Sequence, residues 1–150
     1  MKTILTLAEN APADRPFFMD GPETGRVEEA IKPYIEKARK SYPEAKRRFL
    51  TGLPANHMFF ATTILQDETG RSEQVFVAVE RIEGGNIVGR IRSNIFAVKS
   101  YKYGDRYEFP EPHLIDWLIA RPDGTEEGNF VGNFLDEYQK TKNNPAYYYS

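Results

Sequence analysis

The spacing of apolar residues changes at Met58, and this change constrains the fold more than any other feature of the chain. Ahead of it, apolar residues recur at intervals of mostly three and four: Val27, Ala30, Ile31, Tyr34, Ile35 and Ala38. Such spacing is typical of a helix that buries one face. After Met58, apolar residues mostly follow a period of two, which is typical of strands. The pattern predicts an α+β fold, with amino-terminal helices packed on an antiparallel sheet.

Two prolines complicate the helical region. Pro33 lies inside the apolar stripe and predicts either a kink or a boundary between two helices, because proline removes a backbone donor and clashes with the preceding turn. Residues 41–44 are typical of a new helix start, with Pro43 in the first turn. Gly52 and Pro54 are predicted to end that helix.

The sheet is predicted to contain about five strands, and a short carboxy-terminal helix should follow it. The predicted strands are 58–65, 73–82, 87–91, 107–109 and 113–120. Turns at 67–70 and 83–86 join the first three into a meander. Asn133 is predicted to cap a last helix from Phe134 to about Lys140.

The 150 residues are predicted to form one domain, because the chain has no internal repeat and no dividing linker. Residues 1–25 are predicted to be an irregular arm, although 2–7 could form a short strand. Residues 142–150 are predicted to be a polar tail. The apolar stretch Ile4–Ala8 is too short for a signal peptide and no window could span a bilayer, so we expect a cytoplasmic protein without a membrane partner.

Most catalytic motifs are absent from the sequence. Without cysteine there are no disulfides, thiolate metal sites or cysteine nucleophiles. His57 and His113 are the only histidines and lack metal-ligand spacing. Neither a serine-nucleophile elbow nor a phosphate-binding glycine loop is present. We expect no cofactor and no metal, and the pattern favours binding over catalysis.

The stretch from His113 to Asn133 combines residue types that are common in active sites. In a strand, His113 and Asp116 point to opposite faces and make a poor acid–base pair, with Trp117 on the His113 face. Asp116 could be a general base or ligand contact. The interpretation we favour is a carboxylate that ties a neighbouring turn through backbone amides.

The segment Gly128–Gly132, which contains Asn129, has two possible functions. Its amides could cradle an anion at a helix start. A tight turn that requires glycine is the favoured explanation. Asn129 therefore joins His113, Asp116 and Trp117 as a candidate ligand or partner contact.

Basic residues cluster on the predicted helices. They are Lys37, Arg39, Lys40, Lys46, Arg47 and Arg48. Such a run could contact phosphate groups. Runs of charge on helices are usually solvated, however, and the net charge of −2 does not favour nucleic acid as a partner.

Three consecutive tyrosines precede the last residue, Ser150, and Tyr147 and Tyr148 are candidate partner contacts. Tyrosine is favoured at protein interfaces. The same residues could instead fold back on the domain or remain mobile.

The order of features from Pro43 to Leu135 resembles the YegJ-like family, bacterial proteins grouped as a domain of unknown function. The features are Phe49, the strand Met58–Leu65, Glu73 ahead of Val75–Val79, the hairpin Gly84–Gly89, Gly104-Asp105, Ile115-Asp116-Trp117 and Gly128-Asn129. The chain departs from the family at Gln74–Phe76, where many relatives carry a tryptophan, and in its longer amino-terminal region. The resemblance implies a small mixed domain with a strongly bent antiparallel sheet.

The resemblance also bears on function, because family members occur near polymorphic toxin genes. It implies an immunity or inhibitor role, so we expect a non-enzymatic module that binds a protein partner such as a cognate toxin. One alternative is a small-ligand or nucleotide-binding domain near Asp116, with weak hydrolase activity. A second is nucleic-acid binding through the basic residues of 37–48.

Overall fold

The computed structural model describes residues 3–5, 17–19 and 22–142, and describes side chains within 27–140. In chain order its elements are β1 (Thr3–Leu5), β2 (Phe17–Met19), α1 (Pro22–Thr51), β3 (Met58–Gln66), β4 (Ser72–Glu83), β5 (Asn86–Ile91), β6 (Arg106–Pro110), a 3-10 turn (Glu111–His113), β7 (Asp116–Ala120), β8 (Glu126–Gly128) and α2 (Phe130–Lys142). The predicted α+β class is confirmed.

Six antiparallel strands form the body of the sheet, in the order β8–β7–β3–β4–β5–β6. The predicted meander of β3, β4 and β5 is confirmed. Because β4 is 12 residues long, two strands share one of its edges. The short β1 pairs in parallel with residues 72–74, and β5 pairs with 77–83. Strand β2 extends the sheet beyond β1.

Strands β3 and β4 separate at one end of the sheet. Their last paired residues are Phe60 and Ala78. Beyond this point Met58 and Phe59 pair only with β7. From Val79 onwards β4 pairs only with β5, across an irregularity in register. The divergence leaves an opening between two neighbouring strands of an otherwise continuous sheet.

A single helix, α1, spans 30 residues and contains both Pro33 and Pro43. The predicted helix start at Pro43 is therefore wrong, as is the division into two helices at Pro33. Both prolines are exposed, so neither ring occupies the buried face. The apolar stripe runs past them without interruption, and burial of that stripe outweighs the hydrogen bonds that proline removes.

The stripe of α1 packs against two different partners. Its carboxy-terminal half, which includes Ala38, Tyr42 and Ala45, covers one face of the sheet. Its amino-terminal half packs on α2, where Val27 joins Val131 in a separate buried cluster. One helix therefore joins the main core to a smaller second core.

Two predicted boundaries are wrong. The possible strand within 2–7 is present as β1, but the arm predicted to be irregular up to residue 25 also contains β2, and α1 begins at Pro22. The rest of the arm lies outside the described residues. The predicted strand 113–120 begins only at Asp116, because Pro110 and Pro112 fix the backbone angles around a 3-10 turn.

The last helix begins at Phe130, four residues earlier than predicted. Asn133 consequently lies inside α2 and is not its cap. The earlier start follows from an acceptor that lies far from α2 in the sequence, the carboxylate of Asp116, which receives an amide of the first turn.

Candidate functional site

Asp116 is the first residue of β7 and is almost completely buried, with 1% of its surface exposed. Its Oδ2 atom accepts a hydrogen bond of 2.7 Å from the amide of Val131, and its Oδ1 atom accepts one of 2.8 Å from the amide of Trp117. Burial raises the pKa of Asp116 to about 7, and backbone amides, with Val131 the strongest, act in the opposite direction. The carboxylate therefore ties the start of α2 to the sheet.

The segment Gly128–Gly132 forms the tight turn that precedes α2. Asn129 has a positive φ of 55°, and its amide donates a hydrogen bond of 2.7 Å to the carbonyl of Trp117. A Cβ atom at Gly128 would lie 2.4 Å from that same carbonyl oxygen, so glycine is required for the close approach. An amide at the start of α2 does bind an anion, and the anion is the Asp116 side chain.

Trp117 holds this end of β7 against α1. Its Nε1 atom donates a hydrogen bond of 3.0 Å to Oγ of Ser41. Its ring stacks on Phe59 at 6.4 Å and meets the edge of Phe130 at 5.9 Å. These contacts account for the whole indole through packing within the domain.

His113 lies in the 3-10 turn and is exposed, so the strand alternation that separated it from Asp116 does not apply. Its carbonyl accepts a hydrogen bond of 2.9 Å from Oγ1 of Thr63. Neighbouring Glu111 accepts a hydrogen bond of 2.6 Å from Tyr42. Burial and this carboxylate raise the pKa of Tyr42 well above its ordinary value, which keeps the phenol protonated.

Most cations of the basic run already have partners within the domain. Arg39 donates to the carbonyl of Leu114 at 2.9 Å. The remaining contacts join Lys37 to the ring of Phe130, Lys46 to Glu111, Arg47 to Glu44 and Arg48 to Glu127. Four of these cations therefore anchor α1 to the rest of the chain. Arg47 pairs within α1, and Lys40 has no such contact with the described residues.

Glu73 anchors a loop in the way that Asp116 anchors a helix, although the sequence had not suggested this. It is completely buried in β4. Its two oxygens accept the amides of Phe96, Ala97 and Val98 at 2.8, 3.0 and 3.1 Å. The available signal was a charged residue just ahead of the apolar run Val75–Val79.

An apolar groove lies where β3 and β4 separate. Its volume is about 300 Å³. The lining residues are Phe49, Leu53, His57, Met58, Phe59, Ala78 and Val79. Met58, in the lining, and Leu50, next to Phe49 in the sequence, are 36% and 58% exposed. Large apolar side chains are therefore accessible to solvent at this end of the molecule.

Residues 28–145, well over half of the chain, match the model of the family DUF2314, described as an uncharacterized protein conserved in bacteria. The chain belongs to the DUF2314 family. The matched DUF2314 region includes both buried carboxylates and the groove, and it leaves out β1 and β2. No curated protein and no solved structure matches the chain.

Two further observations concern only the part of the chain that the structure describes. No helix there is both long enough and apolar enough to cross a membrane. No cluster of three or more histidine, aspartate or glutamate side chains there could hold a metal ion. Tyr147 and Tyr148, predicted as partner contacts, lie outside the described residues.

Proposed function

We propose that this chain is a non-enzymatic protein-interaction module, and most concretely an immunity- or inhibitor-type protein that neutralises a bacterial toxin. The observation that carries the proposal is the apolar groove between β3 and β4. Exposed apolar side chains grouped around a concave surface are typical of protein-binding sites. The partner we expect is a protein that inserts an apolar side chain into the groove beside Leu53 and Met58.

The chemistry of the buried acids supports binding over catalysis. A general base must be able to reach a substrate proton. Asp116 and Glu73 are buried, and their oxygens already accept backbone amides. Neither of these carboxylates lines the groove.

The toxin-directed form of the proposal rests on the YegJ-like resemblance, because relatives occur near polymorphic toxin genes. A cytoplasmic location is part of the same proposal, since immunity proteins act where the toxin would damage the producing cell. Membership of the DUF2314 family is compatible with this role and does not by itself assign it.

The test is co-expression with the product of the adjacent gene, followed by affinity capture and a host-survival assay. We expect capture and protection by the natural chain and loss of both in Met58→Glu, because Met58 lines the groove and is 36% exposed. Ile64→Glu is the matched control, because Ile64 is 45% exposed on β3 but does not line the groove. Both variants should retain the melting temperature of the natural chain. Absence of both capture and protection by the natural chain would refute the proposal.

Nucleic-acid binding and ligand binding near Asp116 remain alternatives. A gel-shift assay at low salt tests the first, since phosphate contacts weaken as salt is added. The pairing of Arg39, Lys46 and Arg48 within the domain argues against it. For the second, the test is whether Asp116→Asn loses ligand binding while it keeps its stability.

A further inference from the structure

A polar cleft separates the β3–β4 turn from the loop that follows β5. Its volume is about 590 Å³. One wall is residues 66–71 of the turn, without Gly70, and the other includes Ala97 and residues 99–101. The size falls within the usual range for small-molecule sites. Neither the apolar groove nor Asp116 belongs to this cleft.

Side-chain carboxylates hold both walls in place. In the turn, Oδ1 of Asp67 accepts hydrogen bonds from the amides of Thr69 and Arg71 at 2.9 and 3.0 Å. In the loop, Glu73 accepts the amides of residues 96–98. Val98 is also buried in the core. A site with fixed walls loses little entropy when a ligand binds.

The cleft carries two cations that form no close ion pair. Within the described residues, neither Arg71 nor Lys99 lies within ion-pair distance of a carboxylate, although the charge of Arg71 acts on the Asp67 carboxylate at longer range. By contrast, Arg48 and Arg121 both pair with Glu127. These two cations are therefore available to an anion that enters the cleft from solvent.

Of the two acids in the cleft, Asp67 is committed to its turn. It accepts a hydrogen bond of 2.6 Å from the Thr69 hydroxyl, which is the main reason that the pKa of Asp67 lies below its usual range. Glu68 has no such partner among the described residues and is exposed. Both carboxylates repel an incoming anion, and Glu68 is the one that can be replaced without disturbing the turn.

We propose that this cleft binds the phosphate group of a small phosphorylated molecule, with Arg71 and Lys99 as its cationic contacts. Arginine offers two parallel donors that match phosphate oxygens, and lysine adds a point charge. The hydroxyl of Ser100 lies on the same wall as Lys99 and can donate a further hydrogen bond. A cleft larger than a phosphate ion leaves room for the rest of the ligand beside Tyr101.

The experiment is an NMR titration of the ¹⁵N-labelled full chain with sodium phosphate or adenosine monophosphate, with sodium chloride adjusted to keep ionic strength constant. We expect saturable amide shifts confined to residues 67–71 and 97–101. Arg71→Gln and Lys99→Gln should each weaken binding by about tenfold, as expected for one charge-assisted contact. Glu68→Gln should strengthen binding, because it removes a repelling charge.

Lys40→Gln is the matched control, because Lys40 is exposed and lies on α1 outside the cleft. It should bind like the natural chain. Tighter binding of the nucleotide than of inorganic phosphate would place the ligand body in the cleft as well, and equal affinities would restrict recognition to the phosphate. Diffuse shifts, or shifts that survive in both Arg71→Gln and Lys99→Gln, would overturn the proposal.

Discussion

The Oδ2 atom of Asp116 accepts the amide of Val131 at 2.7 Å, so a strand residue supplies an acceptor for the first turn of α2. A residue immediately before a helix usually does this. Asn129 occupies that place, but its positive φ directs it elsewhere, and its Nδ2 atom donates to Glu126. A negative acceptor here also meets the positive end of the helix dipole. The start of α2 is thereby fixed to the sheet.

Removal of this carboxylate should destabilise the fold. Asp116→Ala leaves the buried amide of Val131 without an acceptor, and we expect a loss of about 2–3 kcal/mol in the free energy of unfolding. At pH 4, where both side chains are neutral, Asp116→Asn should lose less, about 1 kcal/mol, because the amide oxygen can still accept. Urea denaturation measures both. Glu137→Gln on the exposed face of α2 is the control, and a loss equal to that of Asp116→Ala in this control would contradict the assignment.

The stability should also depend on pH through Asp116. Because burial raises its pKa to about 7, the folded chain holds this proton more tightly than the unfolded chain. The stabilisation of the fold by protonated Asp116 is fully present below the unfolded pKa of about 4. It is lost as pH rises to about 7. Across this window, the natural chain should lose up to about 4 kcal/mol relative to Asp116→Asn, since one pKa unit corresponds to about 1.4 kcal/mol. Parallel stability curves for the two proteins between pH 4 and 8 would show the expectation to be wrong.

Substitution of Glu73 should also cause a large loss in the free energy of unfolding. Glu73→Ala removes the acceptor of three consecutive amides in a buried setting, and a loss of about 3 kcal/mol or more is expected. Hydrogen exchange should accelerate most at residues 96–98. The exposed Glu83→Ala, at the end of the same strand, should leave these rates unchanged. Unaltered protection of 96–98 in Glu73→Ala would mean that other contacts hold the loop.

Substitution of two turn glycines should distinguish the cost of steric overlap from the cost of backbone strain. Gly128 and Gly124 have similar positive φ angles, 79° and 89°. A Cβ atom at Gly128 would overlap Trp117, whereas one at Gly124 meets no heavy atom within 4 Å. Gly124→Ala should therefore cost about 1 kcal/mol from strain alone, and Gly128→Ala about 3 kcal/mol. Thermal denaturation of both variants measures these losses. Equal losses would argue against the close approach of Gly128 to Trp117.

Pro43 should be a site of stabilisation. It lies inside α1 and is exposed, so Pro43→Ala restores a helical donor without loss of packing. We expect a gain of about 1 kcal/mol or more, within the helix propensity difference between the two residues. Pro122 lies in the turn in which the amide of Gly124 donates to the carbonyl of Arg121. Pro122→Ala should lower the free energy of unfolding, because it gives the unfolded chain more conformational freedom. Circular dichroism melting curves distinguish a gain from a loss.

Local patterns predicted the elements whose stability is local. The alternation in 73–82 and the glycines at 84 and 85 predicted β4, its turn and β5, because strand faces and turn angles depend on neighbouring residues. Pro43 was misleading because the cost of one lost hydrogen bond is local, whereas burial of the α1 stripe depends on the whole fold. Strand β8 was missed because Glu126–Gly128 contains no apolar residue.

The candidate site was less accessible to prediction than the fold. That Asp116 could tie a turn through amides was foreseeable from its short side chain. Its pairing with Val131, and that of Glu73 with residues 96–98, depends on contacts between distant parts of the chain. The groove depends on the separation of β3 from β4, which no local pattern encodes.

The single helix α1 also determines how binding to this protein is best measured. Its 30 residues extend about 45 Å at 1.5 Å per residue, with Leu50 near one end. Helix α2 runs toward the other end, because Phe130 lies under Lys37 and Phe134 stacks on Tyr34. A fluorophore or sensor-surface anchor attached near the end of α2 would stand far from the groove and leave it open to a partner.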